Sequence, residues 1–299
     1  MSICTYDSIE AGLRGCFGSD VGILEKSYVH GGDINDSFCL NLSNGLNVFV
    51  KSNTVSNAGF FDAEEKGLNA IASTETIGSP NLLCKGVDRE KRISFLMMEM
   101  IPRIGRTKNF FTIFGRELAS MHLKDTEIFV PGGKYGFSSD NYIGASKQVN
   151  TPKDTWIDFF RECRLIPQFR MAERYFDNAE AKSIMRLLEK LDDILVEPKK
   201  PSLLHGDLWS GNFITGKDGK AWLIDPAAYV GHAEADIAMT ELFGSLPDDF
   251  YSEYMSVYPI QPGYPDRRNL YNLYHLLNHL NLFGRSYLSE VVNIIRYYV

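Results

Sequence analysis

The sequence predicts an α+β protein of two lobes, a small antiparallel sheet followed by a larger, mainly helical portion. Three observations carry that prediction. Up to residue 101, apolar runs of strand length alternate with turn signals such as Asn44-Gly45, and one stretch of helical period lies among them. From residue 102 onward, apolar residues recur mostly at helical spacing over long segments. Between those helical segments lies a short strand, loop and strand passage, residues 203–225, in which polar side chains gather. The lobes are therefore drawn at 1–101 and 102–299.

Composition bounds the function classes. With 299 residues, 44% apolar and 23% charged, the chain can bury a full core and belongs with ordinary globular proteins. A net charge of −7, without a dense Lys/Arg block, argues against general nucleic-acid binding. Five cysteines, an odd number, widely spaced and without a CxxC, suggest neither a disulfide framework nor a zinc knuckle. Residues 1–7 lack a basic start followed by an apolar stretch, and no apolar run has the length of a membrane span. The expectation is a cytosolic monomer with no membrane and no nucleic-acid partner.

Taken in order, residues 7–16 carry Ile9, Leu13 and Cys16 at helical spacing and form a short leading helix. Residues 23–29 and 37–42 read as paired strands around His30-Gly31-Gly32-Asp33-Ile34-Asn35-Asp36. Gly31 and Gly32, with Asn35 after them, allow backbone N–H groups to approach a nucleotide phosphate; an unliganded hairpin turn is the alternative. Asn44-Gly45 turns the chain into a third strand, 46–51, which ends on Lys51. A lysine there can reach nucleotide phosphates and pair with a glutamate on the next helix. That helix, 60–72, offers Glu64 and Glu65, of which Glu64 is preferred. Two more strands follow, 82–87 and 93–101, the second nearly all apolar. Met98-Glu99-Met100-Ile101 before Pro102 suits a hinge whose backbone binds an adenine edge; a buried sheet edge is the other reading, and the role of the Glu99 side chain stays open.

In the second lobe, 108–122 forms a helix whose aromatic stripe is core, and 134–152, polar and glycine-containing, reads as an irregular surface loop. Helices over 154–164 and 178–195 lead to Leu203-Leu204-His205-Gly206-Asp207-Leu208-Trp209-Ser210-Gly211-Asn212. Asp207 and Asn212 stand five apart on a loop, and the run Ala221-Trp222-Leu223-Ile224 delivers Asp225. That order and spacing repeat the protein-kinase arrangement, in which a catalytic Asp faces the substrate hydroxyl while an Asn and a second Asp hold Mg²⁺. Asp207 is accordingly the candidate base, Asn212 and Asp225 the metal ligands, and Lys51 with Glu64 the phosphate-neutralising pair. A protein-kinase-like fold with ATP and Mg²⁺ between its lobes follows. Beyond Asp225, His232, Glu234 and Asp236 either face the cleft or cap, and Asp236 is expected to hold the catalytic loop by hydrogen bonds. The rest, 250–257 and 266–299, is helical; His275 and His279 lie four apart without the glutamate of a zinc motif.

These residues resemble the fructosamine kinase (ketosamine-3-kinase) family, a branch of the aminoglycoside-phosphotransferase-like kinases. The resemblance rests on residues 205–212, Ile224-Asp225-Pro226-Ala227 and Gly231-His232-Ala233-Glu234-Ala235-Asp236. It extends to Gly31-Gly32-Asp33-Ile34-Asn35, Asp140-Asn141-Tyr142-Ile143-Gly144, Trp156 with Phe159-Phe160, and residues 164–168. It implies ATP-dependent phosphorylation of the 3-hydroxyl of a ketosamine, free or protein-bound, as a deglycation repair step. Trp209, His232 and Glu234 are the candidate substrate contacts. Pro226 and Ala227 stand where protein kinases carry Phe-Gly, so an activation switch of that kind is not expected. Two alternatives differ in outcome: a kinase for another acceptor (an aminoglycoside, choline or a simple sugar), and a non-catalytic binding module on the same fold. The presence of all five polar residues stands against the second.

Overall fold

The computed structural model describes residues 2–29, 34–102 and 104–299. Its first part is a six-stranded sheet built from β1 (Cys4–Tyr6), β2 (Ile23–Tyr28), β3 (Asp36–Leu42), β4 (Asn47–Thr54), β5 (Leu82–Asp88) and β6 (Ile93–Glu99). The spatial order is β1-β5-β6-β4-β3-β2. Strands β2 to β6 pair antiparallel as the turn signals predict, whereas β1 adds to β5 in parallel. Three residues are too few to show a period, so only the pairing with β5 reveals β1.

Alternation along the strands assigns each face a helix. Phe38, Leu40, Val48, Val50, Phe95 and Met97 face α1 (Ile9–Phe17), which adds Ile9 and Leu13 to the same cluster. Leu96 and Met98 face α2 (Ala58–Ser73), packing on Phe61 and Leu68. Lys51 is registered opposite Leu96 and therefore lies on the α2 face. The strand does not end at Lys51 but continues to Thr54, which puts the lysine within the sheet and buries it.

The second part begins with α3 (Phe110–His122) and a small hairpin, β7 (Asn141–Ile143) and β8 (Ser146–Gln148). Next come α4 (Trp156–Phe159), a π-helical turn Phe160–Leu165, α5 (Ile166–Met171), α6 (Asn178–Glu189) and α7 (Leu191–Ile194). The short strands β9 (Ser202–Leu204), β10 (Phe213–Thr215), β11 (Ala221–Leu223) and β12 (Tyr229–Gly231) pair as β9 with β12 and β10 with β11. Helices α8 (Glu234–Leu242), α9 (Asp248–Val257), α10 (Tyr264–Phe283) and α11 (Leu288–Tyr298) complete it. One large core joins them, centred on aromatic side chains such as Phe114, Trp156, Phe159 and Phe250.

The segment 134–152 departs from its expected character as a surface loop. Tyr135, Phe137, Asn141, Ile143, Gln148 and Asn150 are all buried. Its polar side chains are satisfied by internal partners: Asn141 and Gln148 donate to the carbonyls of Ala228 and Ala227 at 2.8 and 2.9 Å. Polarity that reads as exposure in sequence is here used inside the fold.

Candidate active site

Strand β9 delivers the loop that carries the site. Gly206 sits at φ +81°, and a Cβ there would lie 2.1 Å from the Ala227 carbonyl oxygen, so both the turn and the close approach require glycine. The buried Asp236 carboxylate accepts the backbone N–H groups of His205 (2.7 Å) and Gly206 (2.9 Å) and lies 3.2 Å from His122 Nε2. Asp236 thus holds the loop, as the sequence reading expects. His205 Nε2 donates to the Ile224 carbonyl at 2.9 Å, and its Nδ1 accepts the Asp207 N–H at 3.3 Å. Burial lowers the His205 pKa, which keeps the ring neutral and able to make both bonds. One imidazole therefore ties the Asp207 loop to the residue just before Asp225.

Above this loop a cavity of about 780 Å³ opens between the sheet with α2 and the helical portion. Lys51, Glu64, Asp207, Asn212 and Asp225 all line it. Lys51 Nζ bridges the carboxylates of Glu64 and Asp225. Glu65 turns the other way, accepting the Ile3 N–H at 2.9 Å and pairing with Lys85 at 2.7 Å. Asn212 Nδ2 donates to the Asp207 carbonyl (2.8 Å) and to Asp207 Oδ2 (2.9 Å), and its Oδ1 has no hydrogen-bond partner among the described residues. Asp225 has φ +55°, a left-handed conformation uncommon for a non-glycine residue, and its side chain is 46% exposed to the cavity.

The electrostatics follow from burial and neighbouring charge. Burial, reinforced by the Asp225 and Asp236 carboxylates and opposed by the Asn212 hydrogen bond, pushes Asp207 up to about 7. Burial pushes Lys51 down, but Asp225 and Glu64 outweigh it and hold the ammonium well above its ordinary value. Glu64 is raised by its own burial against the pull of Lys51.

The remaining expected site residues divide. Gly31 and Gly32 lie outside the described residues. Asn35 lines the cavity and accepts from Asn53 Nδ2 at 2.8 Å. Glu99 and Ile101 do not line it; Glu99 Oε1 accepts the Asn81 N–H and Nδ2 at 2.9 and 2.8 Å, and Ile101 is buried. Trp209 lines it and meets Phe243 edge to face at 6.4 Å. His232 and Glu234, expected as substrate contacts, lie elsewhere. Glu234 is buried and accepts from Nε and Nη2 of Arg267 at 2.8 and 2.7 Å. His232 packs against Trp156 and Tyr271, its Nδ1 accepts the Glu234 N–H at 3.1 Å, and burial holds its pKa down to about 3. Both serve the entry of α8.

Tyr142, within the Asp140–Gly144 stretch singled out in the sequence, lines the cavity; sequence reasoning missed Phe243 after α8 and Asn278 and Phe283 of α10, and gave His275 and His279 no role. His275 Nδ1 stands 3.9 Å from Asp207 Oδ1, and burial holds its pKa down to about 3. The His275/His279 spacing is legible in the sequence, but without the glutamate of a zinc motif it points to no role, and nothing local places His275 beside Asp207. Among the described residues no group of three or more His, Cys, Asp or Glu side chains could hold a metal, and no helix is long and apolar enough to cross a membrane.

A sheet lysine bridging a helix glutamate and a strained aspartate, opposite an Asp and Asn five residues apart, defines an ATP-dependent phosphotransferase of kinase-like fold. Comparison with known proteins agrees and narrows the class. Residues 5–299 match the sequence profile of the fructosamine kinase family, and the chain belongs to that family. It is 38% identical over 282 residues to the probable ketoamine kinase of Synechocystis sp., covering 93% of this chain and 92% of the relative. It is likewise 38% identical over 284 residues to the chloroplastic protein-ribulosamine 3-kinase of Oryza sativa subsp. indica, covering 94% and 81%. A crystal structure from Haemophilus somnus, assigned as fructosamine-3-kinase, superposes with a TM-score of 0.86 at 31% identity over 98% of this chain and 97% of its own.

Proposed function

We propose that this protein transfers the γ-phosphoryl group of ATP to the 3-hydroxyl of ketosamines, a step of deglycation repair. The observation that carries the reading is the convergence of Lys51, Glu64, Asp207, Asn212 and Asp225 on one cavity whose acceptor end is neutral and aromatic. The family membership and the activities named for its relatives support the substrate class. In this reading the lobes are 1–101 and 102–299, and ATP lies between them.

The acceptor oxygen attacks the γ-phosphorus, its proton passes to Asp207, and the bond from phosphorus to the ADP oxygen breaks. A base with a pKa near 7 suits that task at neutral pH. Lys51, held by Glu64, offsets the charge on the phosphate oxygens, and Asn212 fixes the Asp207 carboxylate. Asp225, half exposed, and the Oδ1 of Asn212 form an oxygen donor set that fits Mg²⁺, which takes one or two protein ligands and fills its sphere with phosphate oxygens and water. When bound with ATP, the ion supplies charge neutralisation along the phosphates. The protein's own contribution is positioning and preorganised charge.

Apart from Asp207, the acceptor end displays Trp209, Phe243, His279 and Phe283 and no carboxylate among the described residues. A polycationic aminoglycoside lacks the acidic surface it needs there, whereas a ketosamine brings a neutral sugar and a single amine. The test is a mass-spectrometric screen with ATP and Mg²⁺. Ribulosamine and fructosamine conjugates should gain one phosphate and kanamycin-like compounds none; phosphate gained only by the aminoglycosides overturns the assignment.

A further inference from the structure

We propose that the hairpin 141–148 is a fixed strut that holds α2, and with it the pairing of Glu64 to Lys51, in the engaged position. The inference rests on the reading of Glu64 and Lys51 as ATP-handling residues and adds Tyr142 to them as a positioning residue.

The foot of the hairpin is anchored on the two peptides that follow Pro226. Asn141 Nδ2 donates to the Ala228 carbonyl at 2.8 Å; Gln148 Nε2 donates to the Ala227 carbonyl at 2.9 Å and to Asn141 Oδ1 at 2.8 Å. Tyr274 of α10 closes the set by donating to Gln148 Oε1 at 2.6 Å. All three side chains are buried, and a satisfied buried network of this kind has one arrangement.

The other end of the strut presses on α2. The Tyr142 ring meets Phe60 edge to face with 4.2 Å between centroids, and Phe60 lies four residues before Glu64, on the same helix face. Lys66, farther along α2, donates to Ser139 Oγ at 2.9 Å. From below, a Cβ on Gly67 would stand only 3.1 Å from Pro226 Cγ and 3.4 Å from Ala228 Cβ, so α2 rests directly on the segment after Asp225. The helix is wedged between that segment and the hairpin, and the hairpin is bonded to the same segment.

In protein kinases the placement of the helix that carries the lysine's glutamate is controlled by an activation segment. Here Pro226-Ala227-Ala228 is pinned from both sides and the hairpin holds the helix, so the pair is assembled without a switching event.

The experiment is a double-mutant cycle on purified full-length protein, with kcat and KM measured separately for ATP and for a ribulosamine acceptor. Tyr142→Ala should lower kcat/KM for ATP by about tenfold, the scale of a direct coupling, and leave the acceptor KM unchanged. In a Glu64→Gln background, itself impaired, the same change should cost little more. Tyr142→Phe, which keeps the ring, should restore ATP use; Phe60→Leu, a milder loss of the same contact, supplies the comparison if the alanine variant does not fold. Equal fold losses in both backgrounds, or a raised acceptor KM with ATP use intact, overturn the strut while leaving the lysine and glutamate roles standing. Full activity of Glu64→Gln refutes those roles, and the strut with them.

Discussion

Replacing Asp207 by Asn tests the base directly, because the two side chains share a shape and differ in proton affinity. Burial with the nearby Asp225 and Asp236 carboxylates brings Asp207 to about 7, against 3.8 for a free side chain. A group titrating there is about one-eleventh ionised at pH 6 and about ten-elevenths at pH 8, so the wild-type kcat/KM for the acceptor should rise roughly tenfold from pH 6 to pH 8. The sign follows from the raised pKa: the ionised base is present above it and is lost as pH falls through it. A carboxylate at its ordinary pKa would give no change in that window, and His232 and His275, held near 3, stay neutral throughout. Asp207→Asn should lose about 10²- to 10⁴-fold in turnover and lose the step in the profile, with ATP affinity little changed. The assay is the pH–rate profile of both proteins with Mg²⁺ in excess, so that the nucleotide remains complexed. The variant should also melt higher than wild type at pH 8, since an ionised carboxylate is no longer held in a desolvating site; that gain shrinks as pH falls toward the unfolded pKa. A flat wild-type profile between pH 6 and 8, or the same step in the variant, would refute the assignment of Asp207 as base.

Asp225→Ala and Asp225→Gly should both abolish turnover of MgATP, but glycine accepts φ +55° without the Cβ penalty, so the glycine variant should be the more stable by about 1 kcal/mol in chemical denaturation. Equal stability of the two would show that the backbone at 225 relaxes once the carboxylate is gone. Glu234→Ala should lower stability by about 3–5 kcal/mol by leaving Arg267 buried and unpaired, with the acceptor KM unchanged in the folded fraction. A raised acceptor KM at unchanged stability would return Glu234 to the substrate site.

Local geometry makes one part of the site readable from residue order alone. Asp207, Gly206 and Asn212 share one short loop, so their spacing alone implies that the carboxylate and the amide meet, and Asn212 does donate to Asp207 at 2.9 Å. The strand period likewise defines which face of the sheet carries Lys51, and the glycine at 206 marks a turn that no other residue fits. Tertiary structure decided whatever depends on a partner far along the chain. Glu64 and Glu65 are neighbours on one helix, about 100° apart around its axis, and only the docking of α2 on the sheet aims the first at Lys51 and the second at Lys85. His232 and Glu234 read as cleft residues until Arg267, 33 residues later, is found to neutralise Glu234 inside the core. Asn141 reads as loop surface until the Ala228 carbonyl, 87 residues later, takes its amide. A buried polar side chain and an exposed one look alike in sequence, because what separates them is the hydrogen-bond partner, and the partner is supplied by the fold.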